Sequence, residues 1–326
     1  MSKYLVTVTD CRHSNYDIEK GILESIGAEI RLRNCQTEEA LIEECAESDG
    51  ILLDSAPMTN KVITSLHKCK IINRYGVGFD NLDVEACTKN GIWASNVPDY
   101  CADDVSEHAI ALLFACLRQI AFKDRSIREG KWNIFHNNIY RVANKNLGVI
   151  GGGRIGRTLI NKVQGFGFKT IFVYDPFKTE AEIEQWNCKK VSLDELLANS
   201  DFVSLHLPLS PETHWLINSK NISLMKANAI LINTSRGPLI EPAALIEALS
   251  NKIILGAGLD THSEEPLASN SPFLRMDNVV LTDHCAYNSI EATNELKSKS
   301  ALNVVAVLTG NLPNYPLNHI PNDPNP

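Results

Sequence analysis

Three side chains that together can exchange a proton and hold an acid stand where predicted strands end in the second half of the chain. They are Arg236 in Thr-Ser-Arg-Gly, Glu265 before Pro266, and His284 after Asp283. Histidine titrates in the range needed to exchange a proton with a substrate oxygen, and a carboxylate bonded to its far ring nitrogen fixes the tautomer. A guanidinium holds a carboxylate through two parallel hydrogen bonds. These residue types therefore indicate acid and base chemistry beside a bound carboxylate.

Each of these residues alone also has an ordinary structural interpretation. Taken alone, Arg236 is more often a surface cation, Glu265 a solvated turn residue, and His284 a hydrogen-bonded histidine at a strand end. Their order at successive strand ends favours a shared site, because open α/β sheets bind ligands beyond the carboxyl ends of their strands.

A glycine-rich segment, Gly151-Gly152-Gly153-Arg154-Ile155-Gly156, follows a predicted strand and opens a predicted helix. Gly151 permits the tight turn, Gly153 lets the backbone approach a pyrophosphate, and Gly156 allows close helix packing. The free N–H groups and partial positive charge of the helix start favour phosphate. The segment predicts a dinucleotide site, and a glycine-rich turn without a ligand is the alternative.

Asp175 ends the next predicted strand, nineteen residues after Gly156. A carboxylate there accepts hydrogen bonds from both ribose hydroxyls and repels a 2′-phosphate, so the sequence favours NAD over NADP. Nicotinamide exchanges a hydride with a carbon that bears oxygen. With Arg236 holding a carboxylate, that carbon belongs to a 2-oxo or 2-hydroxy acid.

The composition excludes several classes of protein. With 326 residues, 44% hydrophobic and 21% charged, the chain predicts two ordered domains rather than a disulfide scaffold or long disorder. The net charge of −8, from 31 Lys and Arg against 39 Asp and Glu, argues against a nucleic-acid partner. The longest apolar run, residues 109–117, is about half of the ~20 residues needed to cross a bilayer, so no membrane partner is expected.

The cysteines and the N-terminal residues predict a cytoplasmic protein. Nine cysteines form an odd set with no Cys-x-x-Cys pair, which fits free thiols in a reducing compartment better than disulfides or zinc, so no metal is predicted. The start, MSKYLVTVTD, alternates like a strand and lacks the apolar stretch of a signal peptide.

Two series of alternating strands and helices must position the candidate residues. The first runs from YLVTVT at 4–9 to GIWASN at 91–96, and the second from NLGVIG at 146–151 to VVLTDH at 279–284. Apolar strands separated by helices predict a parallel sheet covered on both faces, which is a doubly wound α/β fold. Between the two series, residues 104–130 predict one long helix whose apolar faces need burial in its own domain or against a second subunit.

The motifs resemble those of the D-isomer-specific 2-hydroxyacid dehydrogenases, the family of D-3-phosphoglycerate dehydrogenase and glyoxylate/hydroxypyruvate reductase. The resemblance extends from Asn73-Arg74-Tyr75-Gly76-Val77-Gly78-Phe79-Asp80-Asn81 to the predicted C-terminal helix. It implies an NAD-dependent enzyme with a Rossmann NAD-binding domain, residues 103–289. This domain is inserted into a flavodoxin-like α/β catalytic domain of residues 1–102 plus 290–326. It also implies a homodimer formed through the 104–130 region.

The resemblance assigns a role to each candidate residue. The catalytic arginine, glutamate and histidine of the family fall on Arg236, Glu265 and His284. The substrate loop, whose backbone N–H groups would meet the carboxylate of the acid, falls on Arg74, Tyr75, Gly76, Val77 and Gly78, with Arg236 as a further substrate contact. The cofactor contacts fall on Gly151, Gly153, Arg154, Ile155, Gly156, Asp175, Pro208, Thr234, Ser235 and Asp260.

The resemblance leaves the identity of the acid open. Arg74 stands where phosphoglycerate enzymes place an arginine beside the phosphate, and it is equally compatible with a plain carboxylate contact. Asp283 stands where the family usually has proline before the histidine, so an additional carboxylate precedes His284.

A second interpretation is an NAD(H)-sensing corepressor. Val97–Cys101 and His284–Ser289 are most similar to the branch of the family that includes the C-terminal-binding proteins, although Tyr287 replaces the tryptophan usual there. A protein that only binds need not keep a proton donor, an orienting carboxylate and a carboxylate clamp together. The presence of all three favours the enzyme.

Overall fold

The computed structural model describes residues 3–132 and 139–320 and contains two parallel sheets with flanking helices. The elements of the first hundred residues are β1 (Tyr4–Val8), α1 (Asp17–Glu24), β2 (Ala28–Leu32), α2 (Glu38–Cys45), β3 (Gly50–Leu53), α3 (Asn60–Ile63), β4 (Ile71–Arg74), α4 (Val84–Lys89) and β5 (Trp93–Ser95). They are followed by α5 (Ala102–Leu117), α6 (Ile120–Arg128), β6 (Asn146–Ile150), α7 (Arg154–Val163), β7 (Thr170–Tyr174), α8 (Glu180–Glu184), β8 (Lys189–Lys190), α9 (Leu193–Asn199), β9 (Phe202–Leu205), β10 (Ile230–Asn233), α10 (Pro242–Ser250), β11 (Gly256–Leu259), β12 (Val279–Leu281) and α11 (Ile290–Leu308).

Contacts along the backbone divide the chain into two compact units. The first contains Met1–Tyr100 and Ser289–Pro326, and the second contains Cys101–Asn288. The second unit is therefore continuous in sequence, whereas the first is made of two segments. The assignment of substrate to the first and dinucleotide to the second remains a prediction at this stage.

The first unit is built on a five-stranded parallel sheet with the order β2-β1-β3-β4-β5. Its strands are short and apolar, and Ile51, Leu52 and Leu53 of β3 are fully buried, because helices cover both faces. This strand order is that of the flavodoxin-like fold, and it reverses direction between β1 and β3. The fold class predicted for this part of the chain is confirmed.

The second unit is built on a seven-stranded parallel sheet with the order β12-β11-β10-β9-β6-β7-β8. The order runs outward in both directions from β6 and β9, which is the doubly wound Rossmann arrangement predicted from the sequence. Local signals agree with it, since Thr179 and Glu182 form a reciprocal capping box on α8 and the Ser192 hydroxyl caps α9. The glycine-rich segment follows β6, at the centre of the sheet.

The prediction of one helix over residues 104–130 is wrong. Two helices, α5 and α6, bend by 59° at Gln119, whose φ is 55° in the left-handed region. The N–H groups of Arg118 and Gln119 bond back to the carbonyls of Phe114 and Cys116 and close α5. The break follows the change in burial, because α5 packs its apolar residues into the core whereas α6 buries none of its residues.

The bend also limits the length of any single helix that could cross a membrane in this region. Among the described residues, no single helix has the length and apolar character needed to span a membrane. Helices α5 and α6 reach that length and apolar character only when they are taken together, across the 59° bend.

Candidate active site

The glycine-rich turn after β6 combines one strained position with two close approaches. Gly151 has a φ of 97°, and a Cβ there would overlap the carbonyl of His206. A Cβ on Gly156 would overlap the carbonyl of Gly151, which ties the first turn of α7 to the strand end. Gly153, the residue before α7, faces open space. The turn therefore fixes its own shape while leaving room for a ligand at Gly153.

The start of α7 offers unpaired hydrogen-bond donors to that space. Within the described ranges, the N–H groups of Gly153, Arg154 and Ile155 donate to no acceptor. Such groups at a helix start bind anions, because the helix dipole adds partial positive charge. The donor set therefore fits the pyrophosphate of a dinucleotide.

Asp175 lies beside this turn, at the carboxyl end of β7. One carboxylate oxygen accepts the N–H of Gly152 at 2.8 Å, and the other accepts the N–H of Phe177 at 2.8 Å. Each oxygen keeps a second lone pair for a further donor. The carboxylate is thus held in place before any ligand binds, in a position that fits a ribose.

Three more predicted cofactor residues follow β9 and β10. The Ser235 hydroxyl donates to the carbonyl of Leu205 at 2.7 Å and joins these two strand ends, and the Pro208 carbonyl accepts the hydroxyl of Thr213 at 2.8 Å. Thr234 is 8% exposed, and its buried hydroxyl has no hydrogen-bond partner among the described residues. Buried hydroxyls in native proteins are almost always paired with protein, ligand or ordered water, so this one is available to a bound molecule.

Asp260, predicted as a cofactor contact, organises the segment that carries His284. Its carboxylate accepts the hydroxyl of Thr282 at 2.6 Å and the N–H groups of Cys285 and Ala286 at 3.0 and 3.1 Å, and its carbonyl accepts the N–H of His284 at 2.8 Å. At 1% exposure it is part of the core. The structure therefore gives Asp260 a positioning role, and its contact with cofactor stays a prediction.

Sequence reasoning missed the neighbours of Asp260. His108 of α5 places Nε2 3.0 Å from the Thr282 hydroxyl and 3.4 Å from the Asp260 carboxylate. The available signal was a lone histidine at the edge of the longest apolar run, and no partner for it can be read from spacing alone.

His284 and Glu265 form the predicted pair. The Nδ1 atom of His284 lies 2.8 Å from Oε2 of Glu265, whose Oε1 accepts the N–H of His262 at 2.9 Å. His284 has a φ of 58°, a left-handed conformation that is uncommon for histidine and concentrates at functional sites. No described residue bonds its Nε2, so that nitrogen remains for a ligand.

The electrostatics of Glu265 support this pairing. Partial burial raises the pKa of its carboxyl group, but the hydrogen bonds from His284 and from the His262 N–H outweigh burial and bring the net pKa below the ordinary value. The carboxylate is consequently ionised at neutral pH. It can hold the proton on Nδ1 and stabilise a positive charge on the imidazole ring.

Arg236 reaches the same region from the end of β10. Its guanidinium donates to the carbonyl of Ser235 at 2.8 Å. The Asn233 side chain donates to the backbone carbonyl of Arg236 at 2.8 Å. The adjacent Gly237 packs so closely on the backbone at His262 that a Cβ would overlap it. The structure thereby joins the Arg236 segment to the segment that leads to Glu265.

The predicted substrate loop of the first unit follows β4. Gly76 has a φ of 126°, and the Gly76 and Val77 carbonyls accept the Val97 N–H at 3.1 Å and the Asn96 side chain at 2.6 Å. The N–H groups of Gly76, Val77 and Gly78 have no acceptor in the described part of the chain. Successive unpaired N–H groups form an anion-binding concavity, so the turn fits a carboxylate.

The two residues before this turn differ from the prediction in one respect. The Arg74 guanidinium donates to the Tyr75 carbonyl and packs over Gly76, where a Cβ would overlap it. Tyr75 is 3% exposed, its hydroxyl donates to Glu19 at 3.0 Å, and its N–H donates to Leu53. The predicted substrate contact of Tyr75 is therefore not supported by its placement, because ring and amide are both turned inward.

His206, which lies under the glycine turn, gives a pH-dependent prediction for stability. Burial lowers its pKa from 6.5 to about 4, and Nε2 is 2.8 Å from the Ser204 hydroxyl. The unfolded chain takes up this proton below pH 6.5 and the folded chain does not, so stability falls as the pH falls toward 4, by at most about 3 kcal/mol. We expect His206→Gln to lose less free energy of unfolding than the parent between about pH 7.5 and about pH 4.5.

The measurement is urea unfolding of both proteins at the two pH values, with His67→Gln, an exposed histidine, as the control. Other groups titrate equally in both proteins, so the difference isolates His206. Equal losses in the parent and His206→Gln would contradict a neutral buried imidazole.

Comparison with known proteins gives a consistent result for this chain. Residues 110–286 match the family model described as "D-isomer specific 2-hydroxyacid dehydrogenase, NAD binding domain". A glyoxylate reductase of Thermococcus litoralis is 39% identical over 84% of this chain and 84% of its own length. A D-3-phosphoglycerate dehydrogenase of Methanocaldococcus jannaschii is 37% identical over 95% of this chain and 60% of its own length.

Solved structures agree with the sequence matches. A D-lactate dehydrogenase from Aquifex aeolicus, in complex with NAD and lactic acid, superposes with a TM-score of 0.85. It is 27% identical in sequence, and the alignment covers 94% of this chain and 96% of that one. The similarity therefore extends over both units and is not limited to the dinucleotide fold.

Proposed function

The chain belongs to the family of D-isomer-specific 2-hydroxyacid dehydrogenases, and on that premise we propose that Arg236, Glu265 and His284 reduce a small 2-oxo acid. The enzyme is an NAD-dependent oxidoreductase, and the finer assignments concern its residues and its substrate. The observation that carries the proposal is the pair formed by His284 and Glu265, with Nε2 of the histidine left for a ligand.

The proposed division of labour follows from the donors and acceptors at each position. The nicotinamide cofactor, when bound, supplies the hydride. The N–H groups of Gly153, Arg154 and Ile155 would hold its pyrophosphate, and the Thr234 hydroxyl and the Asp175 carboxylate would bond other parts of it. Arg236 would hold the substrate carboxylate through two parallel hydrogen bonds and orient the neighbouring carbonyl.

Proton transfer is the task of His284. Glu265 accepts a hydrogen bond from Nδ1–H, so Nε2 is the atom that donates a proton to the substrate oxygen as that oxygen gains negative charge. In the reverse direction Nε2 accepts the hydroxyl proton. The ionised Glu265 stabilises the imidazolium form and holds the ring in one orientation.

We propose that the turn of the first unit binds a carboxylate. The unpaired N–H groups of Gly76, Val77 and Gly78 support this role, because they form a concavity suited to an anion. We assign Arg74 to the same turn, where its guanidinium covers Gly76. Tyr75 supports the turn from beneath and makes no side-chain contact with substrate in this proposal.

The experiment is an assay of NADH oxidation with glyoxylate, hydroxypyruvate and 3-phosphohydroxypyruvate. These acids follow from the relatives, which include glyoxylate reductases and D-3-phosphoglycerate dehydrogenases. We expect turnover of at least one of them. If the wild-type protein binds NADH and reduces none of the three acids, the proposed function fails. The comparisons give no support to the corepressor alternative, whose members would bind NADH without turnover.

Asp175 should decide the preference for NAD over NADP. Its carboxylate repels a 2′-phosphate, so we expect the wild type to use NADH at least about 100-fold better than NADPH, and Asp175→Asn to narrow that ratio by about tenfold or more. The measurement is kcat/KM with each cofactor at a fixed acid concentration. Asp194→Asn, an exposed carboxylate on α9, is the control, and an unchanged ratio in Asp175→Asn would contradict the assignment.

We further propose a homodimer formed through α5 and α6. Its support is the exposed apolar surface of α6, where Ile120 is 57% and Ile127 is 53% exposed, and such surface on a protein often marks an interface. Sedimentation of the wild type and of Ile120→Glu tests this proposal, because a charge in an apolar interface should shift the mass toward that of a monomer.

We also propose a cytoplasmic location. All nine cysteines are free, and six of them are buried, as in proteins that fold in a reducing compartment. Fractionation of cells that express the tagged protein tests the location directly.

A further inference from the structure

We infer that Asp54, at the carboxyl end of β3, makes the subsite for the substrate side chain accept an uncharged or hydroxylated group and reject a phosphate. The inference rests on the proposed function, in which the Gly76–Gly78 turn binds the substrate carboxylate. It concerns the chemical class of the acid that this chain reduces.

Asp54 lies beside that turn by strand register. Leu53 of β3 is aligned with Arg74 of β4, and the Leu53 carbonyl accepts the N–H of Tyr75 at 2.7 Å. The sheet order reverses between β1 and β3, and ligands of such sheets bind in the crevice outside the carboxyl ends of the strands at this point. Asp54 therefore lies at the edge of the sheet where a ligand of the turn is expected.

Hydrogen bonds hold the backbone of Asp54 in place, whereas its carboxylate remains available to bind a ligand. Its N–H donates to Asp10 at 3.1 Å, and its carbonyl accepts the Asn81 side chain at 2.9 Å. Asn81 also donates to the Ala56 carbonyl at 2.8 Å and so fixes both sides of the loop. No residue of the described ranges donates a hydrogen bond to the Asp54 carboxylate.

A neighbouring carboxylate, that of Asp10, provides a useful contrast. It is 2% exposed and accepts the Thr9 hydroxyl at 2.6 Å and the N–H groups of Asp54 and Ala56 at 3.1 and 3.3 Å. Asp10 therefore has a structural role in shaping the loop. Asp54 has no comparable set of donors, and its carboxylate needs another explanation.

The charges around Asp54 balance one another. Burial raises the pKa of Asp54 and outweighs the opposing effect of the nearby Arg74 and Arg12 charges. Burial lowers the pKa of His13, so this ring is uncharged at neutral pH. Two arginines, Arg12 and Arg74, then lie near two acidic side chains, Asp10 and Asp54, so the cluster has no excess of basic residues.

This balance decides which side chain of an acid would fit. A phosphate brings two negative charges close to Asp54, and a site with no excess cation cannot compensate for them. A hydroxyl can instead donate to the Asp54 carboxylate and accept from Arg74. Arg74 alone allows a phosphate, and the adjacent carboxylate is what excludes it.

The test compares three acids that differ only in this part of the molecule. For the wild type we expect kcat/KM for hydroxypyruvate to exceed that for 3-phosphohydroxypyruvate by about 100-fold or more. This figure assigns about tenfold to each of the two phosphate charges that Asp54 repels. In Asp54→Asn this ratio should fall by about tenfold or more. Glyoxylate has no side chain, so its kcat/KM should change by less than about threefold.

Two further variants sharpen the test. Asp54→Glu keeps the charge and should keep the rejection of phosphate, whereas Glu43→Gln, an exposed carboxylate on α2, should change nothing. A wild type that prefers 3-phosphohydroxypyruvate, or an unchanged ratio in Asp54→Asn with glyoxylate turnover intact, would overturn the inference. Both outcomes differ from the failure of the proposed function, in which no acid is reduced at all.

Discussion

Replacing His284 with asparagine should lower kcat for the preferred 2-oxo acid by about 10²- to 10⁴-fold, the usual contribution of a positioned general acid. The reason is that Nε2 of His284 has no hydrogen-bond partner among the described residues and is the proposed proton donor, whereas the amide of asparagine has no acidic proton to transfer. Asparagine is chosen because it tolerates the left-handed φ of 58°, so the backbone of the segment should persist.

The controls for His284→Asn separate chemistry from folding. The dissociation constant for NADH, measured by fluorescence, should stay within about threefold of the wild type, because the proposed dinucleotide contacts are made by other residues of the unit. His214→Asn, an exposed histidine in the loop after β9, should retain full activity. A His284→Asn variant with more than about a tenth of wild-type kcat would show that another group transfers the proton.

Replacing Arg236 with lysine should lower kcat/KM for the acid by about 100-fold or more, although the charge is kept. The guanidinium offers a planar pair of donors that matches a carboxylate, whereas an ammonium group is a single point charge on a flexible stem. Arg236 is also oriented by its bond to the Ser235 carbonyl, and lysine cannot reproduce both contacts at once.

The measurement for Arg236→Lys is steady-state kinetics with glyoxylate and hydroxypyruvate, with NADH affinity determined separately. Arg275→Lys, an exposed arginine of the same unit, is the matched control. We expect the loss to be similar for both acids, because both carry the carboxylate that Arg236 is proposed to hold. A loss smaller than about threefold would mean that the carboxylate is held by other donors.

Much of the fold and the candidate site could be predicted because the relevant signals are local. The glycine-rich turn needs residues without a side chain at Gly151 and Gly156, and the structure shows the clashes that impose this need. The strands are short apolar runs followed by polar residues, so their ends can be located in the sequence. Parallel strands then bring Arg236, Glu265 and His284 to one edge of the sheet.

The rest depends on contacts between residues far apart in the sequence. The break at Gln119 follows from where α5 leaves the core, and no glycine or proline marks it. The inward turn of Tyr75 depends on Glu19, and the bond between His108 and Thr282 joins residues 174 positions apart. The sequence shows which of these residues are polar and which are apolar. Their hydrogen-bond partners are set only by the folded chain.

Asp260 has a consequence for how the protein meets its ligands. Because its carboxylate and carbonyl already bond Thr282, His284, Cys285 and Ala286, the segment that carries His284 loses its conformational entropy during folding. Ligand binding then does not have to order this segment, and none of the binding free energy is consumed in doing so. The proposed proton donor is thus preorganised in the protein alone, before either cofactor or acid binds.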